Sequence, residues 1–345
     1  AHAGLPSPRD VLRAGDIAIW VFDLGHSQVC VAGAQIDGVA VGDTLTISYA
    51  EKLRDGDLVL SDPDTYCRMR PTDIYHLRHG AQLAEPFSQR GARYVVYRLQ
   101  VATACTPKLE FYVRTTSAAL AEKPLLAPDD PALADVAAMC ARTIRTCLQD
   151  GFVDSIWRES SQWLGDVVAE AFALQGISDD PRPLAQTILM AEQGAQADAI
   201  LPSVLPSETH AYVVTDYNFA WIELLQMYLA HPGAPDAANF VAARMPALTR
   251  MIARFQTDLI DGLLHAQPGR RLFLDWSAQD RREPNLTYNL RFLHGLQTAA
   301  RLARAVNHHD HSAQWDDQAK QVQAVIRKHF HQHSGWQDSP NAAKA

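Results

Sequence analysis

Between Asp154 and Asp166 the chain reads Asp154-Ser155-Ile156-Trp157-Arg158-Glu159-Ser160-Ser161-Gln162-Trp163-Leu164-Gly165-Asp166, with three acids, one arginine and two tryptophans in thirteen residues. A helix starting near Glu159 would put Glu159, Trp163 and Asp166 at i, i+4 and i+7 on one face. A solvated face rarely carries Trp between acids, and a core face rarely carries acids. The combination suits sugar chemistry. A carboxylic acid can protonate a glycosidic oxygen as the bond breaks, if burial or a nearby negative charge keeps it protonated. Neighbouring carboxylates grip ring hydroxyls through charge-assisted hydrogen bonds, and an indole offers a flat apolar face to the C–H side of a sugar. The same residues also fit a plain helix start, with Asp154 as cap, Glu159 paired to Arg158 and Trp163 in the core. On local sequence the two readings weigh evenly.

The elements that must position this segment fall into two regions. Asp16–Asp23, Gln28–Ile36 and Asp43–Tyr49 are rich in β-branched and aromatic residues, with turn chemistry at Asp37-Gly38 and Gly42-Asp43. Asp73–Leu77, Arg93–Val101 and Leu109–Arg114 read as further short strands. Short strands joined by Gly/Asp turns, without helical period, predict an antiparallel sandwich. At about Thr115 the character changes: Thr115 to Asp130, ending in Pro128-Asp129-Asp130, reads as a linker. Beyond Pro131 apolar residues recur at helical spacing. Leu133, Val136, Met139, Cys140, Ile144 and Cys147 form one stripe, followed by helical runs near 162–174, 184–197, 219–230, 237–265, 286–306 and 312–330. Some seven successive helices suggest hairpins packed side by side in a bundle, solenoid or α/α barrel, and the lack of a fixed-length repeat weakens the simple solenoid.

Composition bounds the partners. The 345 residues carry a net charge of -8, with 47% hydrophobic and 20% charged residues, enough to bury a core. The mildly acidic balance argues against nucleic acid or an anionic membrane as partner, and no apolar run is long enough to span a bilayer. Ala1 to Asp10 reads as neither signal nor cleavage site, and the absence of an initial Met is compatible with a cut at this end, so localisation is not legible. The five cysteines (Cys30, Cys67, Cys105, Cys140, Cys147) fit neither a zinc site nor a disulfide framework and read as free thiols. His308-His309-Asp310-His311 and His329, His331, His333 read as exposed polar surface rather than metal ligands, and no cofactor motif is present.

The segment resembles the signature of the α-L-rhamnosidases of glycoside hydrolase family 78, in which an Asp is followed by an Arg-Glu pair and then by Trp and Gly-Asp at fixed offsets. Asp154, Arg158-Glu159, Trp163 and Gly165-Asp166 stand at those offsets. Ser155-Ile156 replaces the usual Cys-Pro, and Gln162 the usual Gly, which bears on the loop shape rather than on the acids. Val21-Phe22-Asp23-Leu24-Gly25, the run from Gly42 to Glu51, Thr72-Asp73-Ile74-Tyr75 and Glu85-Pro86-Phe87 through Gly91 to Val95 resemble the sandwich that precedes the family's barrel. Asp216-Tyr217-Asn218-Phe219-Ala220-Trp221 and Phe273-Leu274-Asp275-Trp276 resemble later barrel segments, so the likeness runs in order over about residues 18 to 340.

The resemblance implies a β-sandwich over residues 1–115, a linker over 116–130 and an incomplete (α/α)6 barrel, six-hairpin glycosidase-like, over 131–345. It implies hydrolysis with inversion of terminal α-L-rhamnosyl residues, a rhamnose-containing oligosaccharide or glycoside as partner, and no cofactor or metal. Glu159 would be the general acid. Asp154, Arg158 and Asp166 would hold the rhamnose hydroxyls, and Trp163, Trp221 and Trp276 would line the pocket. The family's general base is a Glu in the last helices of the barrel, which this sequence does not reach, so the chain alone is expected to be inactive. Acids that could substitute are Asp216, Glu223, Asp275, Asp280 and Glu283. The alternatives are another (α/α)6-barrel glycosidase, and a non-catalytic carbohydrate-binding protein. Three acids crowded around one Arg argue against the second, because they repel one another unless a ligand or reaction uses them.

Overall fold

The computed structural model describes residues 11–54, 57–58, 71–125, 129–206, 213–278, 280–332 and 335–338. Cys67, Pro128, His333, the first ten residues and the tail from Asn341 lie outside the described residues. The contacts divide the chain into two compact units, 1–119 with 142–160, and 120–141 with 161–345.

The first unit is built on β1 (Ile17–Asp37), β2 (Thr44–Ala50), β3 (Leu53–Arg54), β4 (Asp57–Leu58), β5 (Thr72–His76), β6 (Gln82–Ala84), β7 (Arg90–Gln100) and β8 (Lys108–Thr115). Six of these form one antiparallel sheet in the order β5-β2-β7-β1-β6, with β8 also on β1, while β3 and β4 pair with each other. The expected strands Asp16–Asp23 and Gln28–Ile36 are one strand. Ile17–Asp23 pairs with Tyr94–Gln100, and the register shifts between Asp23 and Gln28. The second half of β1 then takes β8 along Cys30–Asp37 and β6 along Ala34–Ile36. The break expected between the two strands is therefore a bulge that curls the sheet. Gly25 provides its positive φ of 84°, and Asp23 accepts the Gly25 N–H at 2.8 Å while Arg93 grips both Asp23 oxygens. Arg93 holds the Asp23 carboxyl below its ordinary pKa.

Alternation decides which face is core. Ala18 and Trp20 are buried while Ile17 and Ile19 are open, and Ala32, Ala34 and Ile36 continue the buried set. Trp20, Phe22, Tyr97 and Phe111 stack at 4.3–5.9 Å. The buried Tyr97 hydroxyl donates to the Gly33 and Tyr112 carbonyls at 3.2 and 2.8 Å, so no polar atom is stranded there.

Past the sheet, α1 spans Pro131–Cys147. Leu148 and Phe152 bridge, and Thr116 and Gln149 tie this stretch back to the end of β8. The expected apolar stripe of α1 is not covered: Leu133, Val136 and Met139 are 49–55% exposed and Cys140 is also exposed, while Ala141 and Ile144 are buried.

The second unit continues with β9 (Gln162–Trp163), α2 (Val167–Leu174), α3 (Arg182–Gln193), β10 (Val204–Leu205), a 3-10 turn (Thr215–Tyr217), α4 (Asn218–Leu229), α5 (Ala237–Ala242), α6 (Met245–Gln256), β11 (Leu259–Ile260), β12 (Leu263–Leu264), α7 (Leu286–Ala305), α8 (His309–Phe330), β13 (His331–Gln332) and β14 (Gly335–Trp336). Helices α7 and α8 form a hairpin, and α4 packs against α3 and α7. Phe219 of α4 meets Phe255 of α6 and Phe292 of α7 at 4.7 and 5.9 Å. Gly295 of α7 admits the Phe219 ring, which would lie 3.1 Å from an added Cβ.

Two helical expectations change. The single run near 237–265 is two helices and a small hairpin, because Pro246 in the first turn of α6 lacks the N–H that a continuous helix would need. The run near 162–174 is helical only from Val167. The expected linker is tied down where it is described: Lys123 donates through its backbone to Ile177 and through its ammonium to Asp179. No described helix is long and apolar enough to cross a membrane.

At Gly91 in β7 an added Cβ would stand 2.2 Å from the Ile156 carbonyl oxygen. Gly91→Ala is expected to lower stability by about 1–3 kcal/mol, since backbone rather than a flexible side chain blocks it. A denaturant midpoint equal to wild type would show that the Ile156 loop yields freely.

Candidate active site

The boundary between the two units falls at Ser160/Ser161, inside the acid-rich segment. Asp154, Arg158 and Glu159 belong to the first unit, Trp163 and Asp166 to the second.

In the first unit the segment is a turn, not a helix. Ser155 organises it: its hydroxyl donates to Asp154 Oδ2 at 2.8 Å, and its Oγ accepts the Glu159 N–H at 3.3 Å. Arg158 Nη2 meets Glu159 Oε1 at 2.5 Å, with the two side chains 38% and 30% exposed. Trp157 Nε1 is buried without a hydrogen-bond partner. Ser160 then takes φ 49°, which ends any helical path from Glu159. The expectation that Glu159, Trp163 and Asp166 share one helical face is thus corrected.

In the second unit, Trp163 sits in β9 and pairs with Val204 of β10. Buried Gln162 donates to Thr187 Oγ1 at 2.9 Å, and Leu164 donates to the Ser203 carbonyl. Asp166 immediately precedes α2, whose Ala169 and Glu170 amides bond to its carbonyl. Gly165 is required by the Tyr217 ring, whose nearest atom would be 2.5 Å from a Cβ. The Tyr217 hydroxyl donates to Asp166 Oδ1 at 3.4 Å. Burial, then the nearby Asp166 and Asp216 carboxylates, push the Tyr217 pKa up, so it remains a neutral donor.

Four aromatics run on from there, each edge-on to the next. Trp163–Tyr217 centroids are 6.2 Å apart, Tyr217–Phe273 5.8 Å and Phe273–Trp276 5.2 Å, at 88°, 80° and 81°. Trp276 ends the series with 76% of its surface open, a ready stacking face. Trp221 is placed otherwise. It is fully buried in α4 and its indole N–H donates to the Ile188 carbonyl at 3.1 Å, so it has no face to give a sugar.

The remaining acids differ in availability. Asp216 is fully buried and accepts the Phe273 and Leu274 amides. Arg282 holds the Asp280 carboxyl below its ordinary pKa. Asp275 Oδ1 accepts the Trp276 amide at 2.5 Å. Glu223 lies 4.0 Å from His294. Glu283 accepts the Ala266 amide at 3.2 Å, and burial raises its pKa. His308, His311 and Trp315 lie ring to ring, and among the described residues no cluster of three or more metal-ligating side chains forms.

The sequence reading quoted the segments that hold Tyr217 and Phe273 but did not assign these two rings to the aromatic series. Besides those segments, a further signal was Gly165, where a Cβ would meet the Tyr217 ring.

A curled antiparallel sheet followed by helical hairpins with an acid-and-aromatic cluster defines the six-hairpin glycosidase class of fold. Residues 123–344 match the bacterial α-L-rhamnosidase six-hairpin glycosidase domain, and the chain belongs to that family. Among solved structures it is similar to a family 78 rhamnosidase of Bacillus sp. GL1, with TM-score 0.83 and 23% identity over 95% of this chain and 34% of that one. It is also similar to a rhamnosidase from Klebsiella oxytoca with rhamnose bound (TM-score 0.76, 16% identity, 95% of this chain and 65% of that one). A third is the Streptomyces avermitilis α-L-rhamnosidase complexed with L-rhamnose (TM-score 0.68, 17% identity, 94% and 31%). The chain thus spans between 31% and 65% of the length of these relatives. Comparison with curated protein sequences returned no match.

Glu283 gives a pH test. Its raised pKa means the folded chain holds this proton more tightly than the unfolded chain does. The stability it contributes is complete below the ordinary Glu pKa and is lost as pH rises through the raised value. Glu283→Gln keeps an acceptor for Ala266 and should raise Tm more at about pH 7.5 than at about pH 4. Equal shifts at both would show that Glu283 ionises as freely folded as unfolded.

Proposed function

We propose that this chain is the sandwich and the first part of the catalytic barrel of an inverting α-L-rhamnosidase. It would act on terminal α-L-rhamnosyl residues of glycosides or polysaccharides. The carrying observation is the set Asp154, Arg158, Glu159, Trp163 and Asp166 at the signature offsets, in a chain of this family. Two similar solved enzymes hold rhamnose, which supports the same sugar here.

Glu159 is the general acid: it protonates the glycosidic oxygen as the anomeric C–O bond breaks. Water attacks the anomeric carbon from the opposite face and loses a proton to a second carboxylate, which requires roughly 6.5–9.5 Å between the two carboxyl groups. Asp154, Arg158 and Asp166 bind the ring hydroxyls. Trp163 and Trp276 give apolar faces to the C–H side of the ring and its methyl group, and Tyr217 braces Asp166 from the core. Of the described acids that could substitute for the base, three are already engaged. Asp216 is enclosed, Asp280 is neutralised by Arg282, and Glu283 is tied to Ala266.

Two outcomes are expected. In the enzyme that carries this chain, Glu159→Gln should slow rhamnosides with poor alkyl leaving groups by about 10²–10⁴-fold and activated aryl rhamnosides far less. Equal losses would remove the acid role from Glu159. Residues 1–345 expressed alone should give no measurable turnover of an aryl rhamnoside. Real turnover, abolished by substitution of Asp275 or Glu283, would put the base within the chain.

A further inference from the structure

We propose that Asp216 is a positioning residue that fixes the Trp276 platform from beneath, a proposal that rests on the reading of Trp276 as a sugar-stacking face. Asp216 stands in the 3-10 turn before α4 and is 0% exposed. Its Oδ1 accepts the Phe273 N–H at 2.9 Å and its Oδ2 the Leu274 N–H at 3.2 Å. Arg291 of α7 lies 3.5 Å from the same Oδ2 and donates from its other nitrogen to the Leu274 carbonyl at 3.4 Å. One acid and one guanidinium therefore hold both sides of Leu274.

Leu274 needs that hold. Its φ is +61°, in the left-handed region, where a branched side chain is strained unless its surroundings over-determine it. The hold extends along the segment. Arg281 donates to the Phe273 carbonyl at 2.6 Å and to the Asp275 carbonyl. The Asp275 amide returns to Phe273 O at 2.7 Å, and Asp275 Oδ1 accepts the Trp276 amide. From the Phe273 amide to the Trp276 amide, every backbone polar group has a partner, in a stretch with no helix or strand. An exposed indole on a fully bonded irregular backbone is a preorganised binding face, since little ordering is left for the ligand to impose.

The chemistry requires a carboxylate. An Asn at 216 offers one oxygen to two amides and turns an NH2 toward a donor or toward Arg291. In Asp216→Asn the Trp276 indole should gain motion. Its contribution to fluorescence anisotropy and acrylamide quenching, taken as the difference from Trp276→Phe in the same background, should shift toward a freely rotating side chain. Far-UV circular dichroism reports whether the fold is kept. A folded Asp216→Asn with an unchanged Trp276 signal would overturn the proposal. A measurement without any variant guards against misfolding: by hydrogen exchange on the unmodified chain, the Phe273 and Leu274 amides should be strongly protected, and exchange as fast as an open loop would equally overturn it.

Calorimetry with L-rhamnose on the enzyme that carries this chain separates this from the functional reading. Asp216→Asn should weaken binding roughly 2- to 10-fold, the scale of one side chain left to be ordered by the ligand. Lost affinity in Trp276→Ala with none lost in Asp216→Asn would sink the positioning role and leave the sugar role standing. A changed Trp276 signal in Asp216→Asn, with full affinity in Trp276→Ala, would keep the positioning and sink the sugar role.

Discussion

A carboxylate with no access to water must be met by donors, because an unpaired buried charge costs several kcal/mol. Asp216 meets that demand with two amides and a guanidinium, and the connections of the helical unit are arranged around the same principle. Between helices the backbone runs irregularly through the interior, where water cannot satisfy its amides and carbonyls. Buried polar side chains at helix starts take over. Asn218 bonds both the N–H and C=O of Leu201, and Asn289 does the same for Leu264. Ser203 accepts the Val214 amide, and Asn285 caps α7 through Tyr288. Asn218 and Asn289 each pin a loop to a helix, and Ser203 pins one loop to another.

The acid-rich segment depends on a different device. Its two halves are held by separate partners: Ser155 and the close approach of Gly91 to Ile156 on one side of Ser160, and β10, Thr187 and the Tyr217 ring on the other. A continuous helix would have dictated the spacing of its side chains by 3.6 residues per turn. A turn, a left-handed serine and a two-residue strand release the side chains from that period. The substitutions that depart from the family signature fall at load points of this path, Ser155 bridging Asp154 to Glu159 and Gln162 anchored in the helical core.

The strands were legible because their two faces differ: Trp20 and Ala18 against Ile17 and Ile19 is a period of two that needs no tertiary knowledge. The join of two expected strands into β1 was not legible, because Gly25 reads equally as a turn or as a bulge and only the register against β7 decides. Helix α4 shows the same limit in another form. Residues Asn218–Ile222, Leu224, Leu225 and Tyr228 are all buried, so no amphipathic period marks a face, and Trp221 and Tyr217 cannot be ranked as core or lining. The acids of the segment stand out by type, while their placement depends on Ser160 and Gly165, whose backbone roles local pattern does not reveal.

Magnitudes separate the part-exposed carboxylates from the enclosed ones. The Arg158–Glu159 pair is about one-third exposed, and an ion pair in such a position is worth up to about 1 kcal/mol. Asp216 with Arg291 stands at the other extreme. Its carboxylate is 0% exposed while Arg291 is 37% exposed, so the enclosure is on the acid side, and removing its donors would leave a buried charge unmet at a cost of several kcal/mol. The two environments set a part-exposed carboxylate, Glu159, apart from an enclosed one, Asp216, although both are acids beside an arginine.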